Sequence, residues 1–188
     1  SSIHYVGGDS IIQRLDTIVI GTGMGWHYAP GTLVEQTEDP HNRQVVFSIP
    51  ALIHFAESSF LDNHCFANGG IDTVDGKPLV RIDFAAASRI KAPDVDGSIY
   101  LDPRSYQIRR SVLRLTKIPE QTPQISAVEV VTDFREVLPS IPVIADVHST
   151  HTLFVDPSRT SLPDAVHEMQ HLLKITFLKG RPGEAPKP

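Results

Sequence analysis

His167-Glu168-Met169-Gln170-His171 spells H-E-x-x-H. On a helix this spacing sets two imidazoles on one face to hold zinc, with the glutamate placed to polarise a bound water. Ser161, followed by Pro163 and Asp164, is a credible helix start, so the sequence predicts a helix over Leu162–His171. Its surroundings argue against a metal. Val166, Met169 and Leu173 form an apolar stripe that turns His167, Gln170, His171 and Lys174 towards solvent. Lys174 lies one turn beyond His171 and repels a divalent cation, and Phe177 stands where a metzincin needs its third histidine. The expectation is no cofactor, with zinc on His167 and His171 and Glu168 as base as the alternative.

The other chemistry-bearing residues are less well arranged. His148 and His151 are three apart, so on a strand they point to opposite faces and do not chelate together. Gly21-Thr22-Gly23-Met24-Gly25 imitates a dinucleotide fingerprint, but Trp26 occupies the place of the third glycine and Pro30-Gly31 leaves no room for the helix. It reads as a glycine-rich β connection. No serine lies in a G-x-S-x-G elbow, and His64 points away from its neighbour Cys65 if the backbone is extended. Cys65, the single cysteine, reads as a buried free thiol beside Phe66, or as the partner of a cysteine in an upstream domain. Asp94 and Asp96 read as loop carboxylates flanking a turn. No catalytic residues are assigned.

The elements that must carry these residues are mostly strands. From Pro78 to Phe84, Val80, Ile82 and Phe84 share one face and Leu79, Arg81 and Asp83 the other. Ser98–Leu101 follows, opened by Asp96-Gly97 and stopped at Asp102-Pro103, where the ring removes a backbone donor. Tyr106–Thr116 is next, and its broken alternation predicts a bulge near Arg109-Arg110 or burial on both sides at its end. Asp102 to Ser105 is then a hairpin loop joining antiparallel neighbours. Further strands are expected at Asp16–Ile20, Arg43–Ile49, Gln124–Phe134, Val143–Val147, Thr150–Val155 and Leu172–Leu178. A first helix is expected at Ala51–Leu61, with Leu52, Phe55, Ala56 and Phe60 as its apolar stripe.

Composition agrees with a β-rich unit. Fifteen prolines and twelve glycines in 188 residues fall between short apolar runs, and 40 % hydrophobic content suffices for one core. We expect a single β-rich domain over residues 1–179 and a disordered tail over 180–188. A net charge of −5 argues against nucleic acid. Arg104, Arg109, Arg110 and Arg114 would be split between sheet faces and have few aromatic partners for base stacking, so they read as a solvated face. No run of eighteen apolar residues is present to span a membrane, and the N-terminus lacks the basic and apolar segments of a signal peptide.

The words FLDNHCF, an apolar strand, and PDVDGSIYLDPRSYQIRRSVLRLT, within Val46 to Thr116, resemble the core of bacterial envelope proteins labelled carboxypeptidase regulatory-like domain-containing proteins. A weaker similarity is to lipoprotein-carrier half-barrels, where a strand of the form x-Ile-Tyr-Leu-Asp-Pro precedes an arginine-bearing one. The first resemblance implies an exported, processed chain that is periplasmic, outer-membrane-associated or extracellular, and it implies no peptidase.

The expected architecture is mainly β: an antiparallel curved sheet or half-barrel with two short helices, Ala51–Leu61 and Leu162–His171, packed against it. The expected role is a non-catalytic binding or scaffold module for an apolar or polymeric ligand or a protein partner. The alternatives are a zinc hydrolase built on His167, Glu168 and His171, and a structural subunit of an extracellular assembly.

Overall fold

The computed structural model describes residues 4–6, 10–15, 18–23, 27–36, 45–118, 125–138, 141–153 and 165–173. Their elements in chain order are β1 His4–Val6, β2 Ser10–Leu15, β3 Ile18–Gly23, β4 Val34–Gln36, β5 Val45–Ser48, a 3-10 turn His54–Ala56, α1 Ser58–Leu61, β6 His64–Val74, β7 Lys77–Ala86, β8 Asp94–Leu101, β9 Ile108–Thr116, β10 Ile125–Leu138, β11 Ile141–Leu153 and β12 Ala165–His171. The fold is mainly β. Strands β6 to β12 form an open antiparallel sheet in which each is hydrogen-bonded to its neighbour in sequence. The shorter strands form a second sheet in the order β1-β2-β3-β5-β4, where β3 and β5 run parallel.

The register of the large sheet shows how the sequence builds two different faces. One row of direct partners runs Phe66, Phe84, Gly97, Leu113, Val130, Ser149, Glu168 from β6 to β12. The next row, on the opposite face, runs Ala67, Asp83, Ser98, Val112, Val131, His148, Met169. Period-two alternation thus gives a covered face, on which Phe84, Leu113, Val130 and Ser149 are buried, and an open one, on which Asp83, Ser98, Val112, Val131 and His148 are only partly buried. Among the described residues, the apolar face is covered by side chains between Tyr28 and Phe60. Tyr28, Leu33, Phe55 and Phe60 pack on Phe84, Val95, Ile99 and Leu113, while Phe47 packs on Ile125, Val128 and Val130.

Gly97 is required by this packing. It lies inside β8 rather than at a turn, and a Cβ there would sit 2.1 Å from the Val112 carbonyl oxygen. The expected turn at Asp96-Gly97 is therefore corrected to continuous strand, with Asp96 Oδ1 accepting the Ala86 N–H at 2.7 Å. Close backbone approach, not chain reversal, is what the glycine serves.

The hairpin after β8 forms as the sequence predicts. Asp102 Oδ1 accepts the N–H groups of Arg104 and Ser105, which holds its carboxyl below the usual carboxylate range. The bulge also falls as predicted: Tyr100 faces Arg110 and Leu101 faces Ile108, leaving Arg109 as the extra residue.

Other expectations are corrected. Ala51–Leu61 is not one helix, because Glu57 is extended (φ −74°, ψ 138°) and divides it into the 3-10 turn and α1. Val143–Val147 and the described part of Thr150–Val155 merge into β11, whose long partner β10 pairs with it as far as Leu153, while residues 154 and 155 lie outside the described residues. The helix expected at Leu162–His171 is replaced over Ala165–His171 by β12, paired residue for residue with Asp146 to Thr152. Pairing decides this: Met169 is 56 % and Leu173 94 % exposed, so the helical stripe has no surface to bury against, whereas β11 offers a full ladder of backbone partners. Leu172 and Leu173 follow β12 without regular structure; the rest of the predicted strand to Leu178, residues 162–164 and the 180–188 tail lie outside the described residues.

Candidate functional site

Strand alternation dismantles the H-E-x-x-H geometry. His167 and His171 share the exposed face of β12 with Met169, and Glu168 points to the other face. Each imidazole has a local partner: the His167 Nδ1 lies 3.2 Å from the Thr150 hydroxyl, and the His171 Nδ1 contacts the Asp146 carboxylate. A glutamate on the reverse of the strand cannot polarise a water held by these two rings. Among the described residues no group of three or more His, Cys, Asp or Glu is placed to hold a metal ion.

His148 and His151 divide between the faces as expected. His148 meets His171 edge-on with ring centroids 6.2 Å apart, while His151 is 1 % exposed on the covered face. There it lies beside Ser149 and diagonal to Glu168. The Ser149 hydroxyl donates to Glu168 Oε2 at 3.4 Å, but Glu168 Oε1 and both His151 ring nitrogens are buried without a hydrogen-bond partner. Burial pushes the His151 pKa down and that of Glu168 up, so each favours its uncharged form.

A second buried polar group was not read from the sequence. Tyr28, His64 and Asp94 meet where the Tyr28–Phe60 segment packs on the sheet. The Tyr28 hydroxyl donates to Asp94 Oδ2 at 2.7 Å, and His64 Nε2 lies 3.4 Å from Asp94 Oδ1, both side chains fully buried. The two His64 nitrogens face carbonyl oxygens, Phe60 O at 2.9 Å and Val95 O at 3.1 Å. A carbonyl only accepts, so hydrogen bonds from both nitrogens require the doubly protonated ring, and the site favours the imidazolium. Burial alone would lower the His64 pKa, but the Asp94 carboxylate and the two carbonyls outweigh it and raise it. For Asp94, burial works to raise the pKa, and hydrogen bonds from His64, Tyr28 and the Val95 N–H reverse it to a net lowering. Burial and then Asp94 raise the Tyr28 pKa, keeping the phenol protonated. The stacked Phe60 ring, 3.9 Å from His64, closes the group from water.

Parity did reveal that His64 and Cys65 point apart. The thiol, however, is exposed rather than buried beside Phe66, since β6 is the last strand of the sheet. Asp94 is likewise corrected from a solvated loop carboxylate to a fully buried one, its local signal being only that it precedes the buried Val95.

On the polar face the arginines are matched by acids. Arg110 bonds Asp133 at 2.6 Å and Asp75 at 2.9 Å, Arg114 bonds Glu129 at 2.6 Å, and Arg81 lies between Asp72 and Asp83. The bulge aims Arg109 at Asp102 and Glu136, 3.6 and 3.5 Å away. At the hairpin end of the sheet a cleft of about 840 Å³ is lined by five cations, Lys77, Arg104, Arg109, Arg110 and Arg135, and five acids, Asp75, Asp102, Asp133, Glu136 and Asp146. Its charges balance, so it does not select an ion of one sign. No described helix is long and apolar enough to cross a membrane. Comparison with protein-family models, curated proteins and solved structures found no match to this chain.

Proposed function

We propose that this chain is a non-catalytic scaffold module that docks a protein partner outside its sheet, in the periplasm, at the outer membrane or in the secreted space of a bacterium. The observation that carries the reading is the filling of the apolar sheet face. Tyr28, Leu33 and Phe60 are each no more than 2 % exposed and seat on Phe84, Ile99 and Leu113, where a carrier would keep room for its ligand. The ordered ion pairs of the other face support a rigid outer surface. The envelope location rests on the resemblance carried by FLDNHCF and the strands after it.

The zinc-hydrolase alternative needs Glu168 beside a water held by His167 and His171, and β12 alternation opposes it. Protein purified without chelator is expected to carry zinc well below one equivalent, unchanged in His171→Ala. Stoichiometric zinc lost in that variant would overturn the scaffold reading. Thermal melts with fatty acids and phospholipids are expected to show no rise in Tm; a saturable rise would make the protein a carrier instead.

A further inference from the structure

An aspartate stands two residues before a cation at each of three places in the sequence: Asp75-Gly76-Lys77 at the turn from β6 to β7, Asp102-Pro103-Arg104 in the hairpin after β8, and Asp133-Phe134-Arg135 near the end of β10. Sheet order brings the three together at one end, and all six charged side chains line the same cleft.

The two signs of charge are engaged differently there. Arg110 binds Asp75 and Asp133, Arg109 lies between Asp102 and Glu136, and His171 contacts Asp146, so every acid of the cleft has a partner from another element. Lys77, Arg104 and Arg135 are exposed, and their side chains make no hydrogen bond or ion pair with any described residue. The balanced total therefore conceals an uneven division. Four carboxylates share two arginines, a frame with negative charge in excess, and three unengaged cations stand on it.

Such a surface discriminates by the spacing of charge rather than by its sum. A polyphosphate chain or a flat anionic bilayer lays negative charge continuously along the cleft and meets the framing carboxylates as well as the cations. A flexible protein segment with separated aspartates or glutamates sets one carboxylate on each cation and keeps the rest of itself away from the acids. The planar guanidinium groups of Arg104 and Arg135 suit a carboxylate with two parallel hydrogen bonds.

We propose that this cleft is where the protein partner docks, and that the partner presents an acidic segment to Lys77, Arg104 and Arg135. The inference rests on the scaffold reading and names the chemistry of its partner.

Titration of the full chain with a peptide alternating glutamate and serine, followed by amide NMR at about 0.15 M salt, tests it. The resonances of Lys77, Arg104 and Arg135 and their neighbours are expected to move and to saturate with a Kd of roughly 0.1–1 mM, as suits a few exposed ion pairs. Lys77→Gln, Arg104→Gln and Arg135→Gln are each expected to weaken binding roughly 2–5-fold, and the triple variant roughly 10–100-fold. No described residue is held by these side chains, so the variants are expected to melt with the parent chain. Lys91→Gln, at an exposed cation outside the cleft, is expected to leave binding unchanged.

Absence of any shift at millimolar peptide overturns the inference, as does a triple variant that binds like the parent or a Lys91→Gln that weakens binding as much as Arg104→Gln. A lysine-serine peptide that moves the same resonances overturns it too, because the acids would then be open to a ligand. Tighter binding of single-stranded DNA or phosphatidylserine vesicles, lost in the triple variant, would assign the cations to phosphate instead. Failure of the acidic peptide to bind leaves the scaffold reading standing, whereas stoichiometric zinc or a saturable rise in Tm with lipid removes that reading whatever the peptide does.

Discussion

His64 in β6 and His151 in β11 are both buried on the covered face of one sheet, yet their surroundings favour opposite charge states. His64 has an acceptor at each nitrogen and a carboxylate beside it, which favour its charged form. His151 has no partner at either nitrogen among the described residues, and burial favours its neutral form. The penalty of leaving water applies to both; what differs is the repayment by partners. Around His64 the Tyr28 hydroxyl reaches Asp94 and fastens the segment that carries it to the sheet. Around His151, Ser149 and Glu168 bond each other and leave the imidazole out. Buried polarity in this molecule is thus a clasp at one end and a weak point at the other.

The strongest way to break the contrast is to make His64 resemble His151. Asp94→Ala leaves an imidazolium and a phenol buried without their anion and is expected to cost about 3–5 kcal/mol in urea unfolding near pH 6. The cost should shrink at higher pH, where the ring can shed its proton. Gly97→Ala, between the two regions, changes no charge but drives a methyl into the Val112 carbonyl; a loss of roughly 3 kcal/mol, or failure to fold, is expected. Equal stability of Gly97→Ala and the parent chain would refute the close approach of β8 to β9. Tyr28→Phe removes one hydrogen bond to a charged group and should cost about 1.5–2 kcal/mol. His151→Leu replaces an unpaired imidazole by a hydrocarbon and is expected to leave stability unchanged or raise it by about 1 kcal/mol. A loss of several kcal/mol there would mean that His151 has a partner after all.

Titration sharpens the comparison, because the two rings respond with opposite sign. The His64 pKa is raised on folding, so its contribution is complete below the unfolded value of about 6.5 and is lost as pH rises through the folded value. The Asp94 pKa is lowered, so its contribution is present above about 3.9 and is lost as pH falls through the folded value. The His151 pKa is lowered, so its contribution is present above about 6.5 and declines as pH falls to the folded value. Relative to the parent chain, His151→Leu should therefore flatten the acid side of the stability profile and His64→Leu the alkaline side. Unfolding midpoints from about pH 5 to pH 8 check this, and parallel shifts in both variants would contradict the assignment.

Much of the sheet was legible locally. Val80, Ile82 and Phe84 alternate, Asp102-Pro103 stops a strand, and the misfit between Ile108 and Leu113 marks the bulge at Arg109; each depends on residues a few positions apart. The errors share a cause. Met169 and Leu173 fit a helical stripe as well as an exposed strand, and only the ladder offered by β11 chose between them. Gly97 reads as a turn until β9 lies against it. Asp94 reads as loop until Tyr28 and His64, 66 and 30 positions away in sequence, arrive.

The sequence by itself determined that this is a sheet protein, where its central hairpin turns, and which side chains alternate inward, because those follow from backbone sterics and from period-two patterning along a single strand. The tertiary structure decided what the histidines are. Whether an imidazole is an ion, an orphan or half of an apparent zinc motif depends on which acceptors distant strands bring within three or four ångströms, and no local spacing encodes that.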